Sequence, residues 1–435
     1  MTVHKHYSSG LQNSWQWIQW GILLLPLLPI LGCILTLIGI FLSWKYRINI
    51  ISKQPLNQAL LILSVFLILT TIFAQNPVDA SLGLGNFIPY FIVFVALSEI
   101  IQTPAQLRKL SWIIVIPSIP VIILGLGQQF LGWSGGEQLQ SFLGWTLPLN
   151  GNPPGRMSSV FMYANILATY LLLVFTLAAG LLIEQLPIIS NAKNLSYTRQ
   201  FIFLIFVLIL TGIALIVTYS RNAWGLVILI VLAYAIYLGW QWLIGLILSA
   251  ILAVLGAAYA PSPLSNSLRL IVPAYFWQRL TDQNFERPIE TLRVTQWKFA
   301  WNLTQQRPWT GWGLRSFTPL YQDKMNVWMG HPHNLFLMLT AEIGIPLTLL
   351  FVGIIGFILA KFTQILINVN LKKADQLILF SYGLTFTVYT SFNLADVTLF
   401  DFRVNTFGWL ILAAIWGNTR YLNSVLPLHP TETEN

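Results

Sequence analysis

The sequence predicts an all-α polytopic membrane protein of about 11–12 transmembrane helices, with one long extracytoplasmic loop containing short amphipathic helices. Three observations carry this. Hydrophobic residues make up 56% of the chain and charged residues 9%, with a mean hydropathy of +0.69, which lies outside the range of soluble domains. Apolar runs near 20 residues long recur along the chain, the length a helix needs to cross hydrocarbon. The basic residues between those runs crowd into every second connection, as the positive-inside rule requires. Residues 1–435 are read as a single integral membrane domain, with the loop 261–333 inside it.

Taken in order, the first apolar run spans about 20–43 and follows a nearly uncharged, Trp-rich stretch with no small-residue cleavage signal, so it is read as a retained span. Pro26 and Pro29 allow it to be one long helix or two short ones, which leaves the count at eleven or twelve. Cys33, the single cysteine, lies inside this run and cannot form an internal disulfide. Further runs lie at about 57–74, 88–101, 111–131, 159–183, 200–219, 222–239, 241–260, 334–360, 376–395 and 404–420, with Glu99 near one end of the third run.

The net charge of +9 does not point to nucleic acid, because the cations are scattered among short loops. Lys45, Arg47 and Lys53, then Arg108 and Lys109, Lys193 and Arg199, Lys361, Lys372 and Lys373, and Arg420 occupy alternate connections and place these in the cytoplasm. The connections 75–87, 132–158, the turn at Ser220 and Arg221, 261–333, and 396–403 then face outward. The longest of them departs from the rule. It carries Arg269, Arg279, Arg287, Arg293, Lys298, Arg307, Arg315 and Lys324 against Asp282, Glu286, Glu290 and Asp323, a net +4. Long loops cross regardless of charge, so this is either a solvated loop or a set of cations that meets an anion at the membrane surface, where phosphate best suits Arg geometry.

Within TYSRNAWG (218–225), Arg221 sits in a turn too short to leave the interface, so it either snorkels or holds a counter-ion. In the stretch 290–317, Leu292, Trp297, Phe299, Ala300 and Leu303 have spacings compatible with an amphipathic helix lying flat on the outer leaflet, ended by Pro308, Gly311 and Gly313. Arg156 precedes a span carrying Asn165, which reads first as a helix-to-helix hydrogen bond.

HPHNLFLMLTAEIG (331–344) opens the next span. Pro332 keeps His331 and His333 off one regular helix, and Asn334 is a candidate N-cap. Two histidines with no nearby pair of carboxylates or thiolates make a poor metal site, so no metal is expected. An imidazole at the outer mouth of a span is better suited to proton transfer, although a structural role is the commoner use of such a residue. Glu342 falls inside the span and there either braces a cation or stays protonated. The chain lacks a phosphate-binding Gly-x-x-x-x-Gly-Lys-Ser/Thr loop, an Asp-x-Asp pair and a seryl nucleophile elbow, so ATP-driven transport, metal-bound sugar nucleotides and seryl catalysis have no residues to carry them.

The order Ser220 to Trp224, Arg293 to Trp297, Pro308 to Gly313 and His331 to Gly344, with a looser match at Arg156 to Asn165, resembles the O-antigen ligase and O-antigen polymerase family. The closing stretch NLADVTLFDFRVNTFGWLILAAI resembles that of cyanobacterial-type members. The resemblance implies a metal-independent, inverting glycosyltransferase without a cofactor. Such an enzyme moves a glycan from an undecaprenyl-diphosphate carrier to the hydroxyl of an acceptor glycolipid or glycan, at the outer, periplasmic face of the inner membrane. Carried over by position, His333 is the general base with His331 the alternative, and Arg221 and Arg293 clamp the diphosphate with Arg156 and Arg315 as further cations. Asn334 and Glu342 are supporting residues. Where many members read Asn-Pro-Asn, this chain has Tyr163, Ala164 and Asn165, so the resemblance supports no role for that segment beyond packing. The alternative from another class is a transporter, or an accessory protein, for a small anion such as bicarbonate. It would need ionisable groups near the midplane and internal repeats. A flippase for the same lipid would need charge deep in a central cavity. Here the cations crowd the outer surface.

Overall fold

The structure, a computed structural model, describes residues 9–189, 195–281 and 288–425, and these form helices without strands. In chain order they are α1 (Ser9–Leu24), α2 (Pro29–Ile51), α3 (Pro55–Ile72), α4 (Pro77–Gly83), α5 (Ile88–Ile100), α6 (Pro104–Val115), α7 (Ser118–Phe130), α8 (Glu137–Leu143), α9 (Ala164–Ile189) and α10 (Leu195–Val217). Then follow α11 (Arg221–Leu238), α12 (Gln241–Tyr259), α13 (Leu264–Ile271), α14 (Ala274–Thr281), α15 (Arg293–Gln306), α16 (Phe317–Met325), α17 (Leu335–Asn368), α18 (Lys373–Phe392) and α19 (Phe402–Val425). Of the residues singled out above, Lys193, Asp282, Glu286, Arg287 and the side chain of Arg279 lie outside the described set.

Proline sets several helix starts. Pro29, Pro55, Pro77 and Pro104 occupy the first turns of α2, α3, α4 and α6, where the missing N–H has no intrahelical partner to lose. Thr103 and Gln106 add a reciprocal capping box to α6. The first apolar run resolves into two helices, because the chain turns at 25–28 between α1 and α2. Small residues let the pair close up: the Ser14 hydroxyl donates to Gly39 O at 2.6 Å.

Nine helical stretches among the described residues are long and apolar enough to cross a membrane, counting Pro77–Ile100 and Pro104–Phe130 as one each. The chain is a multi-pass membrane protein. α18 and α19 are as long but less apolar, since they pack inside the bundle and not against lipid: most of α19, from Arg403 to Leu422, is buried. Polar groups there find partners within the protein. Arg403 pairs with Asp401 at 2.9 Å, donates to Val160 O at 2.8 Å and lies over the Phe161 ring.

The connections that charge alternation assigns to one side meet at one end of the bundle. Gln75 N donates to Trp312 O at 2.9 Å, Arg156 Nε to Thr218 O at 2.9 Å, and Asn222 Nδ2 to Phe392 O at 3.0 Å. At the other end Arg108 pairs with both Glu184 and Asp375, and Arg420 pairs with Glu99.

Two features position the site. α15 does not lie flat on an apolar stripe as the residue spacing suggested. It buries Gln296, Ala300, Leu303 and Thr304, and Thr304 Oγ1 lies 3.0 Å from Thr340 Oγ1 on α17. Half of that buried face is polar because the helix packs on α17 and serves the histidines beyond it. The strongly amphipathic short helix is α13, which leaves Leu270 and Ile271 80% or more exposed.

α17 breaks at Gly344, whose φ is +80°. The loop 308–313 fills the break. Trp312 N donates to Ala341 O at 2.9 Å, Gly313 N to Glu342 O at 2.8 Å, and Ile345 N to Pro308 O at 2.8 Å. Gly311, at φ +68°, passes so close that a Cβ there would stand 2.4 Å from the Glu342 carbonyl carbon. The Pro-x-x-Gly-x-Gly spacing is thus a lock that fixes the loop after α15 to the span after the histidines.

Candidate active site

The segment 326–334 joins α16 to α17. Asn334 caps α17, its side chain accepting from Leu337 N at 3.0 Å while its amide donates to Leu394 O at 3.0 Å. Leu335 N donates to Asn393 O at 2.9 Å. The cap therefore ties the start of α17 to the connection between α18 and α19. Pro332 is buried and His333 takes φ +52°, a left-handed conformation that a non-glycine residue holds only when its surroundings enforce it. This turn brings the two imidazoles edge to face with centroids 4.5 Å apart, an arrangement no regular helix would give.

The hydrogen bonds set the tautomers. His331 Nδ1 accepts from the main-chain N–H of His333 at 3.2 Å, so the ring proton sits on Nε2, which lies 3.5 Å from Asp396 Oδ1. His333 Nδ1 lies 2.8 Å from Gln296 Oε1. The Gln296 amide nitrogen donates to Thr291 O at 3.2 Å, so its oxygen is the acceptor and His333 Nδ1 carries the proton. The basic nitrogen of His333 is then Nε2.

Burial lowers the affinity of both rings for a proton. His331 falls below the usual range, first through burial and then through the charge of Arg293, with Asp396 opposing. His333 is pushed down to about 4 by burial, by His331 and by Arg293, again against Asp396. The neutral form of each ring is thereby favoured.

Asp396, 2% exposed, is held from the other side. Its Oδ2 accepts from Asn165 Nδ2, and Asn165 Oδ1 accepts from Arg156 Nη2 at 2.5 Å. The phenol of Tyr163 lies within reach of Asp396, Arg156 and Arg293. Burial and Asp396 push it up, while Arg156 and Arg293 draw it down.

The structure thus brings together His331, His333, Arg156 and Arg293, and adds two residues that the sequence reading did not single out. Gln296 lies one turn along α15 from Arg293, inside the Arg-x-x-x-Trp spacing, and is fully buried. Asp396 lies in the connection after α18, where the signal was an acidic residue in a short stretch, shared with Asp401 and Arg403, between apolar runs on the outer side. Asn165 bridges Arg156 and Asp396, which is more than the helix packing expected of it. Arg221 is the exposed first residue of α11. Its neighbour Asn222 ties that turn to Phe392, four residues before Asp396. Arg315 and Glu342 stand elsewhere. Arg315 is exposed at φ +64°, while the Glu342 carboxylate, deep at the break of α17, accepts from Phe317 N at 3.3 Å.

His331, His333 and Asp396 each offer a ligand atom, and these atoms lie within 4.8 Å of one another, so they make a better ligand set than the two histidines alone. Working against a cation are the Arg293 charge, which both rings feel, and the Asn165 amide already on Asp396.

The arrangement provides a neutral imidazole with its basic nitrogen fixed, beside a carboxylate and two guanidinium groups. It is suited to taking a proton from a hydroxyl next to an anion. Residues 206–352 match the family model described as O-antigen ligase, a stretch that holds Arg221, Arg293, Gln296, His331 and His333 and ends before Asp396. No curated protein matches the chain.

Proposed function

We propose, because residues 206–352 match the family model described as O-antigen ligase, that the chain is an O-antigen ligase-like glycosyltransferase whose reaction takes the following course. The donor is a glycan on an undecaprenyl-diphosphate carrier, and the acceptor is a hydroxyl of a glycolipid or of another glycan. The reaction runs at the periplasmic face of the inner membrane, inverts the anomeric centre and uses no metal.

His333 Nε2 takes the acceptor hydroxyl's proton as that oxygen bonds to the anomeric carbon. The bond from this carbon to the diphosphate oxygen breaks, and the leaving diphosphate keeps the electron pair. Arg293 and Arg221 meet the charge that grows on it, with Arg156 held in the same network. Guanidinium groups placed beside such a charge stabilise it without a metal. His331 and Asp396 hold the loop and orient the base. Arg315, placed beside the lock near Gly313, has the weakest claim among the proposed diphosphate cations.

The observation that carries this reading is the 2.8 Å contact of His333 Nδ1 with Gln296 Oε1, which leaves Nε2 as the base. The test is complementation of a deletion strain with His333→Ala, following surface glycan and lipid-linked intermediates. Loss of glycan transfer with accumulation of the lipid-linked donor, at unchanged protein level, is the expected result. Full transfer by that variant removes His333 as the base. The same transfer assay on purified protein, run with a chelator, is expected to keep its rate; a loss restored by a divalent cation would instead make His331, His333 and Asp396 a metal site.

A further inference from the structure

We infer that the end of the bundle opposite the histidines holds a second binding site, for the phosphodiester headgroup of an anionic phospholipid in the leaflet on that side. This goes beyond glycan transfer and does not depend on it.

A cavity of about 280 Å³ opens between α17 and α19, walled by Phe357, Lys361, Gln364, Trp416, Thr419 and Arg420. α17 runs from the histidines to this cavity, a distance of roughly 40 Å at ~1.5 Å per residue, so the two sites lie at opposite membrane surfaces. Charge alternation makes this the cytoplasmic one.

Each helix carries an aromatic residue one turn deeper than a cation. Phe357 lies below Lys361 on α17, and Trp416 below Arg420 on α19, with the two rings 5.9 Å apart. Cations at the headgroup level over aromatic rings at the top of the hydrocarbon match the build of a lipid. The charges match as well. Arg420 is already paired with the buried Glu99, whereas Lys361 rests on the uncharged Gln364 amide at 3.2 Å. The set therefore carries one net positive charge, which suits the single negative charge of a phosphodiester. Trp416, 9% exposed, keeps an indole N–H without an acceptor among the described residues, a buried donor in want of an oxygen.

The occupant is a lipid and not a soluble phosphate because of the wall that faces outward. Phe357 is 48% exposed on the face of α17 that other helices leave uncovered, so an acyl chain can run along it while the cavity encloses the headgroup alone. The volume lies near the lower end for ligand pockets, roughly 300 Å³, too small for a whole phospholipid. Basic pockets between spans on the cytoplasmic side recognise anionic headgroups by the same physics.

The test is native mass spectrometry on the purified full chain, titrated with phosphatidylglycerol or with phosphatidylcholine of the same acyl chains. One phosphatidylglycerol is expected to bind at least tenfold tighter than phosphatidylcholine. Lys361→Glu is expected to erase that preference, while Lys361→Arg and the distant Lys324→Glu keep it. Equal retention of the two lipids, or undiminished phosphatidylglycerol binding by Lys361→Glu, overturns the proposal. So does displacement of the lipid by millimolar inorganic phosphate, which would make the ligand a soluble anion.

Discussion

Gln296 on α15 and His333 at the mouth of α17 are joined through Oε1 and Nδ1 at 2.8 Å, and this one bond decides which imidazole nitrogen is left basic. Gln296 touches no reacting atom in the mechanism above. It is a positioning residue. Gln296→Leu is expected to lower kcat for glycan transfer by about 10²-fold with little change in KM, since a misplaced base loses much of the ~10²–10⁴ that general base catalysis contributes. Gln296→Glu keeps an acceptor for Nδ1–H and adds a negative charge. It is expected to retain most of the rate while moving the acid limb of the pH profile upward. A limb that stays in place in Gln296→Glu would mean that the contact is merely structural.

The pH dependence has a definite sign. The base works when neutral, and in the free protein His333 is pushed down to about 4 by burial, His331 and Arg293. The acid limb of kcat/KM is therefore expected below pH 6.5, the ordinary histidine value. A bound diphosphate favours the protonated ring, so the limb of kcat is expected at higher pH than that of kcat/KM. Stability follows the same groups. Both histidines have folded values below their unfolded ones, so between pH 6.5 and about 4 the unfolded chain gains protons that the folded chain does not. The folded state is fully favoured in this respect above pH 6.5 and loses stability as pH falls through that window. A thermal unfolding series against pH, compared with His331→Phe and His333→Phe variants, checks the direction.

The cations are expected to rank in a fixed order. Arg293→Ala is expected to reduce kcat/KM by about 10²–10³-fold, the scale of losing one charge-stabilising donor at a developing anion. Arg221→Ala is expected to weaken binding of the lipid-linked donor, while Arg315→Ala stays within threefold of the parent. Comparable losses for Arg293→Ala and Arg315→Ala would show that the loop acts only through its net charge.

The lock between the 308–313 loop and α17 predicts a stability effect remote from the reacting atoms. A Cβ at Gly311 would press on the Glu342 carbonyl and sit at φ +68°. Gly311→Ala is expected to destabilise the protein by roughly 1–3 kcal/mol. In contrast, Gly353→Ala, where nothing lies within 4 Å, is expected to leave the melting temperature nearly unchanged. Equal melting temperatures for the two variants would mean that the loop yields without cost.

The sequence by itself determined the membrane architecture. Hydropathy and alternating charge are local properties, and a helix must satisfy its own backbone in lipid whatever its neighbours do. The same is true of the Asn334 cap and the Pro332 turn, which act within a few residues. Tertiary structure alone decided the rest. The bend between α1 and α2 and the break in α17 at Gly344 depend on what packs beside them. α15 buries Gln296 and Thr304 because His333 and Thr340 offer partners to their polar groups, so its apolar spacing misled. Asp396 joins His331 from 65 positions away, and Asn165 reaches Asp396 from 231 away, through bonds that no periodicity announces. Arg315 shares its loop and its charge with Arg293, yet the positive φ at its own residue turns it out beside the lock. Which of several identical cations serves a site is a matter of direction, and direction is fixed only when the helices have packed.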